Sequence, residues 1–132
     1  MSERIRRLLF GRVYRSLRFR SALLMYVLIL VLGSIPHARA EIGELASGLV
    51  LHSVAYAVIT FLLCTGSRRP LPGAALQAFL IVVVMGAVDE AVQSFFPYRH
   101  AALGDWAVDC AASGCMAIGL LALHWQKRLP LA

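Results

Sequence analysis

Three pairs of polar side chains recur at helical spacing in an otherwise apolar chain. His52 and Tyr56 are four residues apart, Asp89 and Gln93 are four apart with Glu90 beside them, and Asp105 and Asp109 are four apart again. Residues four apart share one face of a helix. Four carboxylates crowded into a low-dielectric site cannot all ionise cheaply, so such a set can hold and pass protons. His52 beside a carboxylate suits a general base or proton relay, with Tyr56 as a donor. Arg99, the one strong cation near them, matches a carboxylate or phosphate with two prongs. A hydrated set of Asp, Glu and His could also hold a divalent cation, although no metal is assigned.

Each group also has a plainer role open to it. Asp105 would cap the helix that follows it. Arg99 would pair with Glu90 or Asp109 and lock a hairpin, His52 and Tyr56 would form an interhelical hydrogen-bond pair, and Tyr98 and His100 would be loop residues.

The elements that position these groups follow from hydropathy. The chain has 132 residues, 60% of them hydrophobic and 15% charged, with net charge +6. A soluble domain runs near 25% charged, and a core of this size cannot bury so much apolar surface. Apolar stretches cover residues 21–35, 45–63, 74–96 and 106–125. A transmembrane helix needs about 20 such residues, and in lipid the backbone must bond to itself. The expected fold is therefore all-α: a polytopic, four-helix membrane bundle over residues 21–126, preceded by a basic segment (1–20) and followed by a short tail (127–132). An ordinary soluble domain, a disordered chain and a disulfide-built secreted module are excluded.

Charge sets the orientation. Seven of the thirteen Lys and Arg fall in the first twenty residues. With the N-terminus inside, eleven basic residues lie on the cytoplasmic side against two, Arg39 and Arg99, outside; by the positive-inside rule both termini are cytoplasmic. The polar pairs then gather at the outer ends of three helices. A basic end abutting apolar spans faces anionic lipid, so membrane lipids are the expected partners and nucleic acid is not. Ile5, Leu9, Val13 and Leu17 recur every four residues between arginines, the pattern of an amphipathic helix on a membrane surface; a disordered basic tail would serve the topology equally well. Ala38-Arg39-Ala40 resembles a signal-peptidase site, but Pro36 and the short loop suit a retained first span, and Arg6-Arg7 lacks the rest of a twin-arginine signal. Cys64, Cys110 and Cys115 fall in apolar segments with no CxxC pair and are expected to be packing residues. Ala107, Ala111, Ala112, Ser113, Gly114, Ala117 and Gly119 are expected to let the last helix pack closely, and Gly86 to serve the same end.

The run Asp89-Glu90-x-x-Gln93-x-Phe95-x-Pro97-x-Arg99, with Asp105 six residues on, resembles the signature of the VanZ-like family of small bacterial membrane proteins. His52-x-x-x-Tyr56 is similar to that family's second motif, and the resemblance covers about residues 22–125. The chain departs from the pattern where the family shows Asp-Lys before the His, here Gly48 and Leu49. It departs again where the family shows an Asn and a Gly, here Asp109 and Ala112. One cation is lost and one acid gained. The resemblance implies a bacterial inner-membrane protein of the cell envelope, linked to glycopeptide (teicoplanin-type) susceptibility, with no settled reaction or cofactor. The expected function is an outward-facing pocket binding an envelope lipid or glycolipid headgroup, with Arg99, Gln93, Tyr56, Asp105 and Asp109 as ligand-binding candidates. Two alternatives stand beside it: a membrane-embedded hydrolase or transferase using Asp89, Glu90 and His52 as acid and base, and an assembly protein whose polar set only fixes helix packing.

Overall fold

A computed structural model describes residues 3–35, 48–97 and 103–126. Among them there is no strand. Five α-helices account for nearly all of them: α1 (Glu3–Phe10), α2 (Arg15–Gly33), α3 (Gly48–Gly66), α4 (Leu71–Ser94) and α5 (Leu103–Gln126), with a 3-10 turn at Arg12–Tyr14. Among the described residues, four segments are long and apolar enough to cross a membrane: Arg12–Gly33, Leu49–Gly66, Leu71–Ser94 and Leu103–Gln126. At 1.5 Å per residue, α4 and α5 are each about 36 Å long.

The long helices pack side by side. α3 lies against α2, α4 and α5; α5 also packs on α4, whereas α2 meets α4 only lightly. The buried centre is made by Ile59 and Leu63 of α3, Val82 and Met85 of α4, and Leu120 of α5. Ala74, Ala75 and Ala78 bring the start of α4 close to its neighbours. Large aliphatic side chains point the other way: Leu24, Val31, Leu76, Val84 and Ile118 are all exposed, while Asp89, Gln93, Asp109 and Ser113 are buried. A buried polar row thus lies beside an apolar centre, and large aliphatic side chains cover the outside.

Two expectations need correction. The close-packing stripe expected on the last helix is only partly present: Ser113 and Ala117 are buried, but Ala107, Ala111 and Gly119 face outward. The inner stripe of α5 is instead Asp109, Ser113, Ala117 and Leu120, a helical row that sequence composition alone does not distinguish. The basic segment is also not one helix over residues 2–20. It breaks at Gly11, whose N–H caps α1 by donating to the Arg7 carbonyl at 2.7 Å, and residues 15–20 belong to the long helix α2.

The cause of the break is Arg18. Its guanidinium is buried and donates to the carbonyls of Leu8 (2.6 Å), Gly11 (3.0 Å) and Thr65 (2.7 Å). Leu8 and Thr65 lie in the last turns of α1 and α3, where carbonyls lack helical partners and carry the negative end of the helix dipole. In a straight helix Leu8 would lie about 15 Å from Arg18 along the axis, so the chain turns back to reach it. Phe10 then meets Phe61 edge to face, with centroids 5.8 Å apart. The starts of α2 and α4 and the ends of α3 and α5 form an arginine end of the bundle. The opposite end holds the acids of α4 and α5.

Candidate functional site

The acidic end is assembled from three helices, each supplying one polar row. On α3 the row is His52, Tyr56 and Thr60; on α4 it is Asp89 and Gln93, with Glu90 beside; on α5 it is Asp105, Asp109 and Ser113. His52 and Asp109 share a hydrogen bond of 2.9 Å between Nδ1 and Oδ1, and the Asp109 side chain is fully buried. The His52 and Tyr56 rings lie stacked at 6.0 Å. The Tyr56 hydroxyl donates to Oδ2 of Asp89 at 3.4 Å, a long contact that links α3 to α4. One turn deeper, the Thr60 hydroxyl is 2.7 Å from the Tyr56 carbonyl and 2.8 Å from the Ser113 hydroxyl. With the Thr60 proton on the Tyr56 carbonyl, the Ser113 hydroxyl donates to Thr60 Oγ1, so both hydroxyls are satisfied.

The polar groups thus form a ladder from the acidic end towards the middle of the bundle, half-buried at His52 and Asp105 and buried below them. Burial of this kind is costly unless each group finds a partner. Two acceptors do not: Oδ2 of Asp109 and Oε1 of Gln93 are buried with no hydrogen-bond partner among the described residues.

Two aromatic groups fix α4 beside this ladder. Trp106 Nε1 donates to the Val83 carbonyl at 3.0 Å, and the Tyr26 hydroxyl donates to the Met85 carbonyl at 3.0 Å. Gly86 lies at the same level, where a Cβ would stand 2.9 Å from Trp106 Cδ1 and 3.2 Å from Asp109 Oδ2. Its expected packing role has a specific content: it is the notch that lets Trp106 and Asp109 approach α4.

Of the residues singled out by sequence, the structure brings His52, Tyr56, Asp89 and Asp109 into one connected set, with Gln93 and Glu90 buried on the same stretch of α4. Asp105 is half-buried in the first turn of α5, which starts at Leu103. A carboxylate there faces the unpaired amides of the helix start. Arg99, Tyr98 and His100 lie outside the described residues, as do Pro36, Ala38, Arg39 and Ala40. Among the described residues no group of three or more His, Cys, Asp or Glu is arranged to hold a metal ion.

Sequence reasoning missed Thr60, Tyr26 and Trp106, and took Ser113 as a small packing residue. The signal for two of them was present: Thr60 continues the row His52–Tyr56 by four, and Ser113 continues Asp105–Asp109 by four. Tyr26 and Trp106 bond to backbone carbonyls, which no sequence pattern marks. No family model, curated protein or solved structure matches this chain, so the VanZ-like resemblance rests on its motif residues alone.

Proposed function

We propose that this chain is a bacterial inner-membrane protein whose four long helices cross the bilayer with both termini in the cytoplasm. In this reading its polar ladder opens towards the outer face and binds the headgroup of an envelope lipid or glycolipid. The positive-inside distribution supports the orientation, and the exposed aliphatic faces of α2, α4 and α5 support the membrane placement. The observation that carries the binding reading is the pair of acceptors without a partner among the described residues, Asp109 Oδ2 and Gln93 Oε1. A buried acceptor without a donor costs about 1–3 kcal/mol, and a ligand bearing hydroxyl or ammonium donors would recover that. Sugar and amino-alcohol headgroups carry such donors, and Arg99, in the connection before α5, supplies a cation for an anionic group.

The alternative enzymatic reading draws on the His52–Asp109 pair. An imidazole held at 2.9 Å by a buried carboxylate is a base with its orienting partner, and it would serve a membrane-embedded hydrolase or transferase with Asp89 or Glu90 as the acid.

The test is a set of conservative replacements, His52→Asn, Asp89→Asn, Glu90→Gln and Arg99→Lys, each scored for membrane level, melting temperature and susceptibility to envelope-directed antibiotics. Loss of phenotype at normal protein level is the expected result. If every replacement instead abolishes accumulation, the polar set serves helix packing and the binding reading fails. Lipid profiling of a deletion strain separates binding from turnover, because only an enzyme leaves a substrate accumulating.

A further inference from the structure

The arginine end carries a second site, unrelated to the acidic ladder. A cleft of about 700 Å³ opens between the start of α2 and the α3–α4 connection, and five arginines line it: Arg12, Arg15, Arg20, Arg68 and Arg69. No carboxylate lines it. The only acid of the described N-terminal segment, Glu3, is taken by Arg7 at 2.8 Å, and the acids of α4 and α5 sit at the opposite end of the bundle. Among the described residues no carboxylate pairs with any of the five guanidiniums. Five like charges around one cleft repel one another unless an anion enters, and guanidinium forks match phosphate oxygens in geometry.

The cleft is not closed. Arg69 and Gln77 also border a neighbouring groove of about 550 Å³ along α4, lined by Leu76, Leu80, Ile81 and Val84. From Gly73 to Val84 the groove follows about 16 Å of helix, close to the half-thickness of a bilayer's hydrocarbon core, about 15 Å. A cationic cup bordering an apolar channel of one-leaflet length has the polarity and dimensions of a single phospholipid.

We propose that an anionic phospholipid occupies this end, with its phosphate among Arg12, Arg15, Arg20, Arg68 and Arg69 and one acyl chain in the α4 groove. The assignment shares only its membrane placement with the functional reading above, and it needs none of the acidic-end residues.

The test uses the full chain purified in detergent and native mass spectrometry with phosphatidylglycerol, phosphatidylcholine and chain-free glycerol phosphate. Membrane fractionation of the same preparations reads the placement separately. Phosphatidylglycerol is expected to be retained over phosphatidylcholine, and glycerol phosphate not to displace it. Arg15→Gln with Arg69→Gln is expected to lower phosphatidylglycerol retention about 30-fold, taking roughly a fivefold share per arginine near a headgroup. Arg4→Gln with Arg6→Gln removes the same charge from the exposed face of α1 and should change it little. If the first pair impairs folding, Arg20→Gln with Arg68→Gln, both at exposed positions, is expected to give the same selective loss. Leu80→Trp, which fills the groove, is expected to weaken phosphatidylglycerol, while Ile118→Trp on the outer face of α5 leaves it unchanged. Equal losses in the cleft and α1 pairs would overturn the site in favour of diffuse charge. Displacement by glycerol phosphate, or indifference to Leu80→Trp, would overturn the lipid-chain assignment.

Discussion

Replacing glycine by alanine at three positions of the helices should give three different answers, although the chemical change is identical. In a helix interior Ala is favoured over Gly by roughly 0.5–1 kcal/mol. At Gly119 a Cβ meets nothing within 4 Å, so Gly119→Ala should gain that amount, about 2–5 °C in melting temperature for a chain of this size. At Gly86 the same methyl stands 2.9 Å from Trp106 Cδ1 and 3.2 Å from Asp109 Oδ2. The indole cannot swing aside without giving up its bond to the Val83 carbonyl, worth about 1 kcal/mol. Overpacking of this kind costs about 1–3 kcal/mol, so Gly86→Ala should be net destabilising by about 1–2 kcal/mol. At Gly66 the methyl would sit 2.8 Å from the Phe19 nitrogen and 3.0 Å from the Arg15 carbonyl oxygen. These are backbone atoms of α2, so the whole helix must retreat, and the penalty should reach the upper end of the range. The assay is reversible unfolding in mixed micelles, following helix content across a denaturing-detergent titration. Equal midpoints for Gly86→Ala and Gly119→Ala would refute the packing account of α4 against α5.

Three further outcomes follow from the buried polar groups. His52→Leu or Asp109→Leu alone should each destabilise by about 3–5 kcal/mol, because one buried partner is stranded, whereas the double replacement should cost distinctly less than the sum; the same unfolding assay reads this. Thr60→Val should cost about 1 kcal/mol by leaving the Ser113 hydroxyl without its partner, and adding Ser113→Ala should recover most of it. Arg18→Ala removes three charge-assisted bonds and should lower stability by about 2–4 kcal/mol. It should also release α1, read as faster trypsin cleavage after Arg12; an unchanged cleavage rate would show that Arg18 does not hold that segment.

Hydropathy places the four long helices to within three residues of their observed bounds, except the start of α2, which lies six residues earlier than expected, because a run of apolar residues and its breaking prolines are local features. The helical faces of His52–Tyr56 and Asp89–Gln93 were legible for the same reason: spacing of four is read along one helix. What spacing does not contain is how each helix is rotated about its axis. Asp109 therefore stands as a candidate partner of Arg99 in the sequence, while its Oδ1 in the structure is bonded to His52, 57 residues away. The break at Gly11 was missed because the four-residue recurrence of Ile5, Leu9, Val13 and Leu17 runs straight across it. The device responsible, Arg18 binding carbonyls of both flanks, acts through backbone atoms, which every residue carries alike.

Arg18 also imposes an order of assembly. Its partners at Leu8 and Gly11 precede it in the chain, so both exist as soon as the arginine is made. Thr65 follows 47 residues later. While α2 alone has been synthesised, the guanidinium can gather α1 but one of its three carbonyls does not yet exist. It is completed when α3 has been made to its last turn, and α1, α2 and α3 are then tied at a single point. The first stretch of chain that closes this tie runs to about residue 66, so a fragment ending there should hold the α1 turn-back more firmly than one ending near residue 35, which keeps two of the three bonds. The smallest unit of biogenesis is therefore a helical hairpin with its leader folded on it, rather than a single helix waiting for neighbours.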